Sequence, residues 1–160
     1  MSLLRCVRAA ALVSGVSLGP CIGAGANDFT INLKLQAGGH EQTSVSAQPA
    51  AARPVFAAQV EEVISVQWTA VNGAASTPLS DITMHVFVDR GDARAESPKP
   101  GAKALFESAL LQDFEPGGKS SGEFRLPMPE RGTYFVRVET IGAAKKLGKE
   151  VAAAMQVSVP

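Results

Sequence analysis

Residues 118–141 constrain the fold of this chain more than any other segment. Apolar and polar side chains alternate along 122–127 and again along 133–141, which predicts two β-strands that each bury one face. Gly132 can adopt a positive φ and reverse the chain between them. Pro127 and Pro129 end the first strand because proline has no backbone N–H to donate. The segment predicts a β-hairpin with Phe124, Leu126, Tyr134, Val136 and Val138 pointing inward.

This predicted hairpin resembles the E–F corner of immunoglobulin-like and fibronectin-type-III-like sandwiches. In those domains a tyrosine enters the F strand just after a turn, and its hydroxyl bonds back to the preceding loop. Tyr134, two residues after Gly132, occupies the corresponding place. The resemblance covers about residues 60–159 and implies an immunoglobulin-like fold without naming a function. No Cys–Trp–Cys framework accompanies it, so it implies the cysteine-free kinds.

Further alternating runs predict more strands along the chain. The clearest are 29–35, 60–71, 82–88 and 151–159, whereas 40–46 reads as an edge strand or a loop and 54–58 as a short edge strand. Residues 104–114 fit a helix or a strand, and the neighbouring strands favour a strand. We therefore predict an all-β, antiparallel immunoglobulin-like sandwich of seven to nine strands in one domain, 27–160. Its core would include Ile64, Val66, Trp68, Met84 and Val86.

The N-terminal 26 residues have the pattern of a secretory signal peptide. Arg5 and Arg8 precede a short apolar run, 9–18, and the small residues 24–26 fit a cleavage site. The apolar run has about ten residues, against the roughly 20 that cross a bilayer as a helix, and no later stretch qualifies as a transmembrane segment. We expect an exported protein, periplasmic or extracellular, with no integral membrane span.

An alternative interpretation is a lipoprotein acylated at Cys21, although Pro20 fits such a signal poorly. Cleavage after Ala26 would remove both cysteines, and with them disulfides, thiol catalysis and cysteine-ligated metals. The same cleavage would remove Arg5 and Arg8 from the 15 basic residues. The remaining 13 basic and 15 acidic residues would give the mature chain a formal charge of −2. That balance argues against nucleic acid or an anionic membrane as a partner.

Metal binding is the weaker alternative function. His40 and His85, with nearby methionines, could form a periplasmic copper site, because imidazole and thioether groups suit copper. No His-x-His, methionine-rich run or calcium-loop spacing occurs, and His85 sits at a polar strand position. We therefore expect no metal and no cofactor.

Catalytic motifs are also absent from the sequence. It contains no G-x-S-x-G, H-E-x-x-H, P-loop or G-x-G-x-x-G, and its carboxylate pairs fall at expected strand ends. We predict a protein that is not an enzyme and that has no catalytic residues.

The remaining function is recognition. Phe87 and Phe135 lie at outward strand positions, and Arg90 and Asp92 begin the long loop 90–103. We take these four residues as a candidate interaction surface. The expected function is an exported, non-catalytic binding or accessory module, whose partner is another envelope or extracellular protein or a carbohydrate. The alternatives are a periplasmic copper-handling protein and a lipoprotein assembly or structural factor anchored at Cys21.

Overall fold

The structure, a computed structural model, describes residues 28–91 and 104–160. The predicted signal peptide, Cys21 and Asp92 lie outside the described residues. Within these ranges, a 3₁₀ turn at Ala50–Ala52 and a one-turn helix, α1 (Ala144–Leu147), accompany nine strands. The strands are β1 (Phe29–Ala37), β2 (His40–Val45), β3 (Val55–Ala57), β4 (Val63–Asn72), β5 (Leu79–Arg90), β6 (Phe106–Phe114), β7 (Lys119–Pro127), β8 (Gly132–Ile141) and β9 (Ala152–Val159).

The strands form two sheets that pack as a β-sandwich. One sheet has the order β2-β1-β4-β7 and the other the order β3-β9-β8-β5-β6. The expectation of a wholly antiparallel sandwich is wrong at one pair, because β3 runs parallel to β9. The predicted all-β fold is confirmed, and the nine strands of the described residues fall within the predicted seven to nine. No helix within the described ranges is long and apolar enough to cross a membrane.

The core lies between the two sheets and follows the alternation of the sequence. Ile64, Val66 and Trp68 from β4 are buried and share one core cluster with Met84 and Val86 from β5. The predicted inward residues of the following strands are buried as well, except for Phe124, which is half-buried. The remaining buried residues of this core include Ile31, Leu33, Leu35, Phe56, Ile82, Val88, Met155 and Val157.

The predicted hairpin is wrong as a pairing, because its two strands belong to different sheets. β7 pairs with β4, whereas β8 pairs with β5 and β9. The chain crosses the sandwich at Met128, which is buried and whose backbone bonds to Glu61 and Glu62 instead of continuing the ladder. Pro127 and Pro129 on either side of Met128 have no N–H to extend that ladder.

The predicted tyrosine contact at this crossing is confirmed. The Tyr134 hydroxyl donates a hydrogen bond to the carbonyl oxygen of Glu130 over 2.6 Å. Arg90 at the end of β5 braces the same segment, because its guanidinium donates to the Glu130 carboxylate at 2.9 Å and to the Arg131 carbonyl at 2.8 Å. Two strands of the five-stranded sheet, β5 and β8, thus hold the segment that links β7 to β8.

The structure resolves the ambiguity of residues 104–114. Residues 104–114 contain the strand β6, as favoured, and 151–159 contain the final strand β9. The segment 142–148, expected to be a loop, includes the short helix α1. This helix ends at Gly148, whose φ of 78° is typical of a glycine that terminates a helix.

Candidate interaction surface

The strand β6 forms one edge of the five-stranded sheet. Within residues 28–91 and 104–160 it pairs with β5 alone, so alternate backbone N–H and C=O groups along its other side have no strand partner. The strand has nine residues and contains no proline, lysine or arginine. Natural edge strands are usually protected by such residues or by their short length. We refer to the free side of Phe106–Phe114 as the β6 edge.

Two adjacent leucines are exposed at the middle of the β6 edge. Leu110 is 42% exposed and Leu111 is 64% exposed. Leu110 lies opposite the buried Met84 and faces the inside of the sandwich, whereas Leu111 lies opposite Thr83 and faces outward. Both faces of the edge are therefore apolar at its centre.

The sandwich is open beside this edge, where β6 faces the edge strand β7 of the other sheet. The rings of Phe106 and Phe124 stack with centroids 4.0 Å apart, and the Ser120 hydroxyl donates to the Gln112 side chain at 3.2 Å. Phe106, Phe124 and Gln112 are only half-buried. This side of the core is covered by side chains of two edge strands and lies close to solvent.

Gly122 of β7 lies against the indole ring of Trp68, which leaves no room for a side chain at position 122. A Cβ atom on Gly122 would lie 2.6 Å from the indole Nε1 of Trp68, which is closer than any side chain could tolerate. Glycine therefore lets β7 pass over the indole ring, and Trp68 is only 3% exposed.

Carboxylates flank the leucines of the β6 edge. Glu107 and Asp113 share the outward parity of Leu111, and Glu115 follows in the turn after the strand. The Glu107 side chain is 64% exposed although one oxygen lies 2.9 Å from His85 Nε2. Asp113 Oδ1 accepts a hydrogen bond from the backbone N–H of Asp81 at 2.8 Å. The edge is apolar at its centre and acidic toward both ends.

His85 lies on the outer face of the same sheet, at the polar strand position predicted for it, but it is buried. Besides the contact with Glu107, its Nδ1 lies 3.4 Å from a carboxylate oxygen of Glu139. Glu139 in turn accepts a hydrogen bond from Arg137 at 2.6 Å. Both imidazole nitrogens thus face carboxylates of the protein itself.

The candidate surface residues Phe87 and Phe135 need correction, because they are 1% and 3% exposed. Their rings pack edge to face with centroids 6.1 Å apart, and Ala154 joins them in a small second cluster. Since these rings are buried, they offer no open contact surface. Arg90 is exposed but bonded to the corner at Glu130 and Arg131.

His40 lies far from His85 in the topology, on the edge strand β2 of the other sheet. Its ring stacks on Phe56 and its Nε2 donates to the carbonyl of Ala57 at 2.9 Å. The described part of the chain contains no group of three or more His, Cys, Asp or Glu side chains placed to hold a metal ion.

A cleft of about 230 Å³ lies at the end of the sandwich where β1 begins and β4 ends. Phe29, Leu79 and Leu147 line it, together with Lys146. The ammonium group of Lys146 is already bonded to the carbonyl oxygens of Ser80 and Asp81. Typical small-molecule sites are larger, about 300–1,000 Å³.

No protein-family model matches this chain, and no curated protein matches it significantly. Among solved structures, the chain is similar to a family 123 glycoside hydrolase from Clostridium perfringens, with 12% identity and a TM-score of 0.44 over 68% of this chain and 23% of that one. It is also similar to the C-terminal domain of wzt, with 10% identity and a TM-score of 0.45 over 85% of this chain and 75% of that one. The chain thus spans about a quarter of the glycoside hydrolase. Likenesses this distant carry no argument about function.

Sequence reasoning missed the β6 edge as a surface. The signal was the pair Leu110–Leu111, because two adjacent apolar residues place one on each face of a strand. That pair also fits a helix, so its meaning depended on knowing that 106–114 is an edge strand.

Proposed function

We propose that this protein is an exported, non-catalytic binding or accessory module of immunoglobulin-like type that recognises another protein through the β6 edge. The observation that carries the proposal is the nine-residue edge strand, which has no second strand partner among the described residues and exposes Leu110 and Leu111 on its two faces. An edge of this kind is a ready template for a strand of another chain.

Other features support the remaining parts of the proposal. The bond from Tyr134 to Glu130 is typical of the tyrosine corner of immunoglobulin-like domains. Residues 1–26 have the composition of a signal peptide, which supports export. Between the two partner classes expected from the sequence, the edge favours protein over carbohydrate, since a row of alternating backbone donors and acceptors matches an extended peptide.

Site-specific photo-crosslinking in the native host tests this function. A photoreactive benzoylphenylalanine replaces Leu111, and in a matched variant it replaces Val55 on the opposite edge strand of the same sheet, which is 48% exposed. We expect position 111 to yield a discrete adduct with one protein and position 55 to yield none.

Two results would count against the proposal in different ways. The absence of adducts at both positions would contradict a protein-binding module. Adducts from position 55 alone would keep the binding function and refute the β6 edge as its surface.

A further inference from the structure

We infer that the β6 edge binds an extended, basic segment of its partner as an added antiparallel strand, with positive charges opposite Glu107 and Asp113. This inference rests on the proposed function and specifies the chemistry of the partner. Strand addition would pair the backbone groups that β6 leaves open, and side chains opposite each other would then set specificity.

The outward face of β6 defines what the added strand should carry. Glu107, Ala109, Leu111 and Asp113 follow one another on this face at every second position. An antiparallel partner runs in the opposite direction to β6. If its residue opposite Asp113 is position 1, then position 3 lies opposite Leu111 and position 7 lies opposite Glu107. The expected partner motif therefore has a basic residue at position 1, an apolar residue at position 3 and a basic residue at position 7, with any residue at the other positions.

The inward face adds one further requirement to this motif. Leu110 is 42% exposed and lies between the Phe106–Phe124 stack and the Gln112–Ser120 hydrogen bond. An apolar residue at the fourth position of the partner segment would lie opposite Leu110 and shield it from water. The two leucines thus call for adjacent apolar residues at positions three and four.

Charge argues against a second copy of this chain as the occupant. The segment 106–114 has two acidic residues and no basic one, so no self-paired register can place a cation opposite Glu107 or Asp113. A register centred on Leu110 would even set Glu107 opposite Asp113 of the other copy, and like charges directly opposite destabilise a strand pair.

Both carboxylates remain able to accept a cation from a partner. Glu107 uses one oxygen toward His85, and its side chain is 64% exposed. Asp113 uses Oδ1 for the backbone of Asp81 and is exposed. An ionised carboxylate has two oxygens and about four acceptor sites, so each can add a hydrogen bond from lysine or arginine.

The test uses a blocked seven-residue peptide with lysine at positions 1 and 7, valine at 3 and 4, and threonine elsewhere. Its counterpart has glutamate at positions 1 and 7. Binding to the full domain is measured by calorimetry, and the contact is located by amide hydrogen exchange. We expect the lysine peptide to bind at least tenfold more tightly than the glutamate peptide and to slow exchange of alternate amides in 106–114.

Variants of the protein show whether the two carboxylates are responsible. The double variant Glu107→Gln and Asp113→Asn keeps acceptor oxygens toward His85 and Asp81 while it removes both charges. It should lose at least tenfold affinity for the lysine peptide. Glu123→Gln, which removes an exposed charge from the edge strand β7, should leave the affinity unchanged.

Several outcomes would overturn this inference. Equal binding of the two peptides, unchanged affinity in the double variant, or no binding of either peptide at millimolar concentration would contradict a basic strand at β6. Dimerisation that Leu111→Lys abolishes would identify a second copy as the occupant. Any of these results alongside a crosslinked partner at position 111 would refute this inference and leave the proposed function standing.

Discussion

The hydroxyl of Tyr134 donates a hydrogen bond to the carbonyl oxygen of Glu130 over 2.6 Å, across the segment that carries the chain from one sheet to the other. The two residues lie on either side of Gly132, whose φ of 146° favours glycine. Arg90 bonds to the carboxylate of Glu130, so β5 is joined to the same corner. The corner fixes how β8 enters the second sheet after β7 ends the first.

Tyr134→Phe should lower the free energy of unfolding by about 1 kcal/mol, because it removes one hydrogen bond and keeps the buried ring. Tyr134→Ala should cost about 3–5 kcal/mol, because it also empties the space of a large aromatic side chain that is 1% exposed. Urea denaturation measures both.

Glu130→Ala is the control for the Tyr134 variants. It removes the carboxylate that pairs with Arg90 but keeps the backbone carbonyl that accepts from Tyr134. Since both side chains of that ion pair are more than half exposed, the loss should stay below about 1 kcal/mol. If Glu130→Ala lowered the free energy of unfolding more than Tyr134→Phe does, the Arg90–Glu130 ion pair rather than the tyrosine hydrogen bond would stabilise the corner.

Gly122→Ala should destabilise the fold by about 1–3 kcal/mol, because the added methyl group would lie 2.6–2.8 Å from the Trp68 indole. Trp68 is the only tryptophan in the chain, so its fluorescence reports the displacement directly. We expect a shifted emission maximum together with a lower denaturation midpoint.

Gly91→Ala is the matched control, since a Cβ atom there would have no neighbour within 4 Å among the residues that the structure describes. Its stability should remain within about 0.5 kcal/mol of the wild type, and its emission should be unchanged. Equal effects at positions 91 and 122 would contradict the close approach of β7 to Trp68.

Much of this fold could be predicted from alternation alone. The inward set Ile64, Val66 and Trp68 is buried as its parity predicts, and the same holds for Met84 and Val86. These predictions succeed because burial of one strand face depends on local periodicity. The tyrosine contact was also predictable, since Tyr134 stands at a fixed spacing from the turn.

Strand pairing and outer-face burial could not be predicted in the same way. A short turn between two strands suits a hairpin as well as a crossing between sheets, and the sequence of β7 and β8 does not distinguish them. Phe87 and Phe135 follow the outward parity and are nevertheless buried, because burial of a second face depends on tertiary packing. The β6 edge likewise became visible only when the sheet order was known.

Asn72→Ala should cost about 1–3 kcal/mol, because this side chain is 1% exposed and links the loop after β4 to the turn after β6. Its amide group donates to the carbonyls of Thr77 at 2.8 Å and Glu115 at 3.2 Å, and its oxygen accepts from the N–H of Ala74. Asn32→Ala on the exposed side of β1 is the matched control and should be nearly neutral. Equal effects of the two substitutions in thermal denaturation would contradict this role.

Glu139→Gln should destabilise the protein by about 2 kcal/mol, more than Glu107→Gln, although both carboxylates contact His85. The Glu139 side chain is 15% exposed and also holds Arg137, whereas that of Glu107 is 64% exposed. Because Glu107 is largely exposed, water can take over the hydrogen bonds that its carboxylate loses. At the less exposed Glu139, water has little access to do so. Chemical denaturation of both variants checks the order, and the reverse order would contradict the assigned burial.

The central claim is that β6 is an edge strand with one side free for a partner. Amide hydrogen exchange of the free protein, followed residue by residue by NMR, tests it most directly. The account predicts alternation along 106–114, with amides bonded to β5 exchanging slowly and every second amide exchanging fast. Continuous protection along β6, or uniformly fast exchange, would contradict the claim.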